Sequence, residues 1–117
     1  MESPDQGDSQ RLALILELVS DIERRLDEMD FHAFSRDKDE IDLTAYRLSA
    51  IGETTKKLSS DIKDRHPHIP WRAMYGMRNV ISHEYGTVIP RRVWDTARDE
   101  LHALTAVCRA ELERLTS

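Results

Sequence analysis

A chain of 117 residues has room for one domain and not two, and its 39% hydrophobic and 33% charged residues supply one core under a well-solvated exterior. Four glycines and four prolines are too few for a turn-rich β architecture, and the single cysteine, Cys108, excludes an internal disulfide. With no hydrophobic leader and no apolar run near about 18 residues, the expectation is a cytoplasmic protein with no membrane association.

Residues 1–8, "MESPDQGD", are polar and contain Pro4 and Gly7, which suits a disordered N-terminal tail, leaving 9–117 as the folded domain. Ser9 suits a helix cap. Leu12, Ile15, Val19, Ile22, Leu26 and Met29 then step by three and four, the spacing of one apolar helix stripe. "FHAFSRDKDE" breaks the pattern and reads as a connection, with Ser35 near the next helix start. A second stripe runs through Ile41, Thr44, Leu48, Ile51, Thr55, Leu58 and Ile62. Gly52 inside it costs roughly 1 kcal/mol against alanine, which suggests close approach of another helix. Pro67 and Pro70 end this helix. Trp71 opens a third, with Met74, Met77 and Ile81 inward, ending near Tyr85 because Gly86 suits the position after a helix. Pro90 suits a first turn, and a fourth helix follows through Trp94, Ala97, Leu101, Leu104, Cys108, Leu112 and Leu115. The expected fold is an all-α, antiparallel four-helix bundle, with stripes on the first two helices long enough to include a dimer face.

The net charge of −5 weighs against a nucleic-acid partner until its distribution is considered. Between His66 and Arg92, four arginines (72, 78, 91 and 92) face one acid, Glu84, so this window carries +3 and the rest of the chain −8. At its centre lies "GMRNVISHEYG", residues 76–86. On a helix, Asn79 and His83 share a face, whereas Arg78 and His83 stand about 140° apart. A two-fold axis could set one copy's pair against the other's. His83 in a last helical turn beside Glu84 favours the imidazolium and could exchange a proton near neutral pH. Arg78 offers a donor fork suited to phosphate; Asn79, Ser82 and Tyr85 add hydrogen-bonding groups. Arginine and histidine without a carboxylate cluster fit metal-free phosphodiester cleavage, in which an RNA 2′-hydroxyl attacks the adjacent phosphorus. The same residues also fit a plain helix end, with His83 satisfying carbonyls and Arg78 pairing with an acid.

"RNVISHEY" matches the R-x4-H-x-Y motif of the HEPN superfamily, and "RLSAIGETTKKL", "IPWRAMYGMRN" and "VWDTARDEL" resemble the corresponding segments of HepT-like proteins, over roughly residues 45 to 105. The resemblance implies a HepT-type ribonuclease toxin of a type VII toxin–antitoxin system, requiring no cofactor. It implies a homodimeric bundle whose two motifs form an RNA-cleaving cleft. The implied partner is an MntA-like nucleotidyltransferase antitoxin, which silences the toxin by AMP transfer to the motif tyrosine and can assemble with it into a larger hetero-oligomer. Carried over, Arg78 binds the scissile phosphate, His83 is general acid or base, Asn79 and Ser82 support them, and Tyr85 accepts AMP. Glu53, in the "IGE" segment, is a candidate to hold Arg78. Ile89 replaces an expected capping Asp, Gly86-Thr87 an aromatic-Gly pair, and Thr54 and Thr55 the usual alanines. The alternative is a non-catalytic HEPN module that binds RNA or nucleotide, or docks a nucleotidyltransferase.

Other residues fit ordinary roles. His66 and His68 flank Pro67 without a third ligand at metal-site spacing, so no metal site is expected. Trp71, Trp94 and Cys108 read as packing residues.

Overall fold

The stripe Leu12, Ile15, Val19, Ile22 and Leu26 becomes the buried face of α1 (Pro4–Leu26) in the computed structural model, which describes residues 4–79, 81–82 and 87–116. Six further helices are described: α2 (Phe31–Ser35), α3 (Lys38–Lys56), α4 (Ser60–Arg65), α5 (Trp71–Tyr75), α6 (Pro90–Asp99) and α7 (His102–Thr116). A 3-10 turn, Gly76–Asn79, follows α5, and β1 (Ile81–Ser82) pairs antiparallel with β2 (Thr87–Val88), matching Ile81 to Val88 and Ser82 to Thr87. Apart from this two-residue ladder the fold is the all-α bundle that the periodicity predicts.

α1 packs on α3 and α7, while α3 also meets α2, α5, α6 and the 3-10 turn. Ala45, Leu48 and Ile51 of α3 and Leu104 and Cys108 of α7 are fully buried with the α1 stripe. Each large aliphatic side chain so placed contributes about 1.5–3 kcal/mol. Phe31 and Phe34 of α2 pack on the Trp94 ring at centroid distances of 6.1 and 5.2 Å, which docks α6.

Several boundaries differ from the sequence reading. α1 begins at Pro4, before Ser9, so residues 4–8 of the expected disordered tail are helical; Asp8 is buried and its carboxylate accepts the Ser59 amide at 3.0 Å. "FHAFS" is a short helix capped by Asp30, and Asp37, not Ser35, caps α3. The second stripe is split after Lys56. Ser59 turns extended, and its side chain accepts the Ile62 amide as the α4 cap. Leu58 and Ile62 stay buried on either side, so the period continues while the helix does not. The last stripe is likewise split at Glu100–Leu101, and Leu101 remains buried across the break.

The largest departure concerns the expected helix from Trp71 to Tyr85. α5 stops at Tyr75; the Gly76 amide bonds back to the Arg72 and Met74 carbonyls, and the chain tightens into the 3-10 turn before becoming extended at Ile81. His83 lies outside the described residues, and so do the expectations about its helix face and its place at a helix end.

Gly52 explains the placement of this turn. A Cβ there would lie 2.7 Å from the Arg78 amide nitrogen, 3.1 Å from the Tyr75 carbonyl and 3.3 Å from that of Met74. The sequence argument for close approach at Gly52 is borne out, its partner being α5 and the following turn. Gly52→Ala should lower the thermal midpoint, because roughly 1–3 kcal/mol of overpacking against backbone exceeds the ~1 kcal/mol gained in helix propensity. Gly76 has helical φ of −65°, and a Cβ there meets nothing within 4 Å. Gly76→Ala should therefore be neutral or stabilising by up to about 1 kcal/mol. Thermal melts of the two variants check the pair, and a Gly52→Ala protein as stable as wild type would refute the contact.

Candidate active site

One face of α3 builds the surroundings of Arg78. Ser49, Gly52, Glu53 and Lys56 recur at helical spacing toward α5 and the 3-10 turn. Ser49 Oγ donates to the Arg78 carbonyl at 3.5 Å, Gly52 admits the Arg78 backbone, and Glu53 Oε1 lies 3.5 Å from Arg78 Nη1. Both side chains of the ion pair are largely exposed, at 42% for Arg78 and 49% for Glu53. Pairs of this kind contribute about 0–1 kcal/mol. The guanidinium is thus oriented by Glu53 but readily released to a stronger anion.

The structure brings together two of the sequence-predicted residues, Arg78 and Glu53. Asn79 is the last residue of the 3-10 turn and Ser82 the second of β1. His83 and Tyr85 lie outside the described residues. Ile89 caps α6 without a side-chain hydrogen bond, and Pro90 starts the helix through its fixed backbone angle. Of the two unexpected threonines, Thr54 donates to the Ala50 carbonyl at 2.7 Å, whereas buried Thr55 Oγ1 has no partner among the described residues.

Beside Arg78 an open cavity of about 260 Å³ is lined by Lys56, Arg72, Tyr75, Gly76 and Arg78. Arg72 belongs to the cationic window read from the sequence. Lys56, which the sequence reading did not single out, stands one turn beyond Gly52 and Glu53 on the same helix edge.

The helical bundle and the R-x4-H-x-Y segment together define a HEPN-type protein. Residues 15–111 match the family described as ribonuclease HepT-like. "Putative RNase MJ0125" of Methanocaldococcus jannaschii is 38% identical over 88 residues, covering 74% of this chain and 75% of that protein. "Probable ribonuclease HepT" of Thermococcus cleftensis is 36% identical over 93 residues, covering 80% and 82%. No solved structure matches the chain. The chain belongs to the HepT-like family of ribonucleases.

The other polar clusters are structural. Trp71 Nε1 donates to the Lys63 and His66 carbonyls, tying α5 to the end of α4. Cys108 is buried in the core, which pushes its thiol up to about 12. No metal-binding group of His, Cys, Asp and Glu forms among the described residues. His66 instead approaches Glu111 Oε2 at 2.7 Å, and Glu111, nearly buried, also accepts from Arg65 at 2.6 and 3.2 Å and from Arg114 at 3.2 Å. Chiefly through the Arg65 hydrogen bonds, its carboxyl is held down to about 2 from an ordinary value of 4.5.

A carboxyl depressed in the folded state stabilises the protein above its unfolded value, and that contribution is lost as pH falls through the folded one. The Glu111 contribution, on the order of 3 kcal/mol, should disappear between about pH 4.5 and 2. Glu111→Gln should reduce stability at neutral pH and flatten the acid limb of a denaturation-midpoint profile over that range. An unchanged acid limb would remove Glu111 as its source.

Proposed function

We propose that the chain is a metal-independent endoribonuclease toxin of a type VII toxin–antitoxin pair, active as a homodimer in which the motifs of both copies border one RNA cleft. The observation that carries this reading is an exposed Arg78, opening an R-x4-H-x-Y segment, in a chain of a ribonuclease family. RNA supplies its own nucleophile. His83 takes the 2′-hydroxyl proton, O2′ bonds to phosphorus, and the P–O5′ bond breaks. The departing O5′ takes a proton from a second, protonated His83 contributed across the two-fold axis. Arg78, leaving Glu53, binds the non-bridging oxygens on which charge develops. Asn79 and Ser82 support the phosphate and the histidine. The products are a 2′,3′-cyclic phosphate and a 5′-hydroxyl.

Tyr85 is the site of silencing. AMP added there by an MntA-like nucleotidyltransferase brings bulk and negative charge to the place an RNA phosphate must occupy. The metal-free reading follows from chemistry, because the internal nucleophile and the Arg78 guanidinium take over two services a metal ion can supply, nucleophile generation and charge stabilisation.

The test is cleavage of end-labelled tRNA and mRNA in EDTA at low salt, after mass spectrometry shows Tyr85 unmodified. Wild type should cut and leave cyclic phosphate ends. His83→Ala should lose roughly 10²–10⁴-fold in rate and Arg78→Ala roughly 10²–10³-fold. Equal cleavage by wild type and His83→Ala would assign the activity elsewhere. A folded, unmodified dimer that cuts none of these RNAs would favour a non-catalytic docking module.

A further inference from the structure

We infer that Lys56 and Arg72 form a second phosphate subsite, holding the RNA phosphate adjacent to the one assigned to Arg78; the inference rests on the ribonuclease reading above. The cavity beside Arg78 is lined by three cations, Lys56, Arg72 and Arg78, and by no acid. Lys56 and Arg72 are exposed, and neither forms an ion pair with another described residue. Among the described residues, Glu53 is engaged with Arg78. An acidic chain of net charge −5 thus leaves a cluster of positive charge at the one place where a phosphodiester must enter.

The three cations come from separate segments. Lys56 closes α3, Arg72 lies in α5, and Arg78 sits in the 3-10 turn. Their backbones are held by contacts that do not use the charges of these three side chains. Gly52 locks the turn against α3. Lys63 Nζ donates to the Lys56 carbonyl at 3.0 Å and stands 4.7 Å from the Tyr75 ring centroid, binding the end of α3 to α4 and α5. The side chains of Lys56 and Arg72 therefore project from rigid backbone into an open trough of about 260 Å³. An open, cation-lined trough suits an extended backbone, whereas sites for small ligands are predominantly apolar and enclose most of the ligand. Because phosphate contacts carry no base information, the subsite would set register and affinity and leave sequence choice to other residues.

The experiment measures equilibrium binding of a fully 2′-O-methylated single-stranded RNA, which cannot supply the nucleophile, across a salt series. Wild type is compared with Lys56→Gln/Arg72→Gln and with Arg24→Gln/Lys38→Gln. The last variant removes the same charge from distant positions; Lys38 lies about 27 Å from Lys56 along α3 at 1.5 Å per residue. Loss of two phosphate contacts should lower the salt slope by about 1.4 and weaken low-salt binding on the order of tenfold. The distant double variant should retain the wild-type slope. With cleavable RNA, Lys56→Gln/Arg72→Gln should raise KM more than it lowers kcat. Thermal melts should match wild type, since both substituted side chains are exposed.

Wild-type cleavage combined with an unchanged slope in Lys56→Gln/Arg72→Gln would overturn the subsite and leave the ribonuclease intact. Equal losses in the distant variant would also overturn it, by reducing the effect to net charge. Displacement of the RNA by AMP at an equal concentration would reassign the trough to a free nucleotide. A wild-type protein that neither binds nor cuts RNA would defeat the parent reading together with this one.

Discussion

Where the backbone of α3 touches the backbone of the turn after α5, at Gly52, there is no side chain to spare. The missing Cβ lets the Arg78 amide and the Tyr75 carbonyl approach α3 more closely than any other residue would permit. α3 is itself held by fully buried Ala45, Leu48 and Ile51 between α1 and the remaining helices. Arg78 thereby inherits its position from the centre of the core, though its side chain is in solvent. Ser49 one turn before and Glu53 beside the glycine complete the bracket with two weak polar contacts. Packing fixes the backbone, and the guanidinium retains freedom to change partners. Both properties suit the role proposed for Arg78.

The charge distribution follows a related division. Buried acids capture cations where structure requires them: Glu111 gathers Arg65, Arg114 and His66 between α4 and α7, and Glu40 takes Arg25 between α3 and α1. Burying such a carboxylate is expensive unless several donors surround it, and Glu111 has them. Among the described residues, Arg78 pairs only with Glu53, an exposed acid. The cavity beside Arg78 is lined by Lys56, Arg72 and Arg78 and by no described acid, on a chain of net charge −5.

Apolar spacing made the core readable from sequence. The α1 stripe, the α3 positions Ile41, Leu48 and Ile51, and Leu104 and Cys108 of α7 are all buried as their periods require. Helix ends were not readable in the same way. Leu58 and Ile62 keep phase across a break that depends on an amide meeting Asp8, fifty-one positions away in sequence, and no local pattern carries that information. Residues 71–79 and 81–82 were misread as one helix because they tolerate it, while Gly52 and the pairing of Ile81 with Val88 impose a tighter turn and then a strand. The pairing of Glu53 with Arg78 was foreseen from residue chemistry and family resemblance together. Lys56 was not singled out, because only the placement of α5 and the following turn shows which edge of α3 borders the cavity beside Arg78.

The Asp8–Ser59 bond bears on how the chain can be shortened. The opening residues invite trimming, being polar and rich in turn formers. Yet Ser59 is the cap of α4, and its amide is satisfied by Asp8 at 3.0 Å. A protein begun at Ser9 would leave that donor without its carboxylate and loosen the start of α4, the helix whose far end supplies Arg65 and His66 to Glu111. The N-terminal turn of α1 thus acts as a clasp on an element remote from it in sequence, and the boundary of the folded unit lies earlier than composition alone would place it.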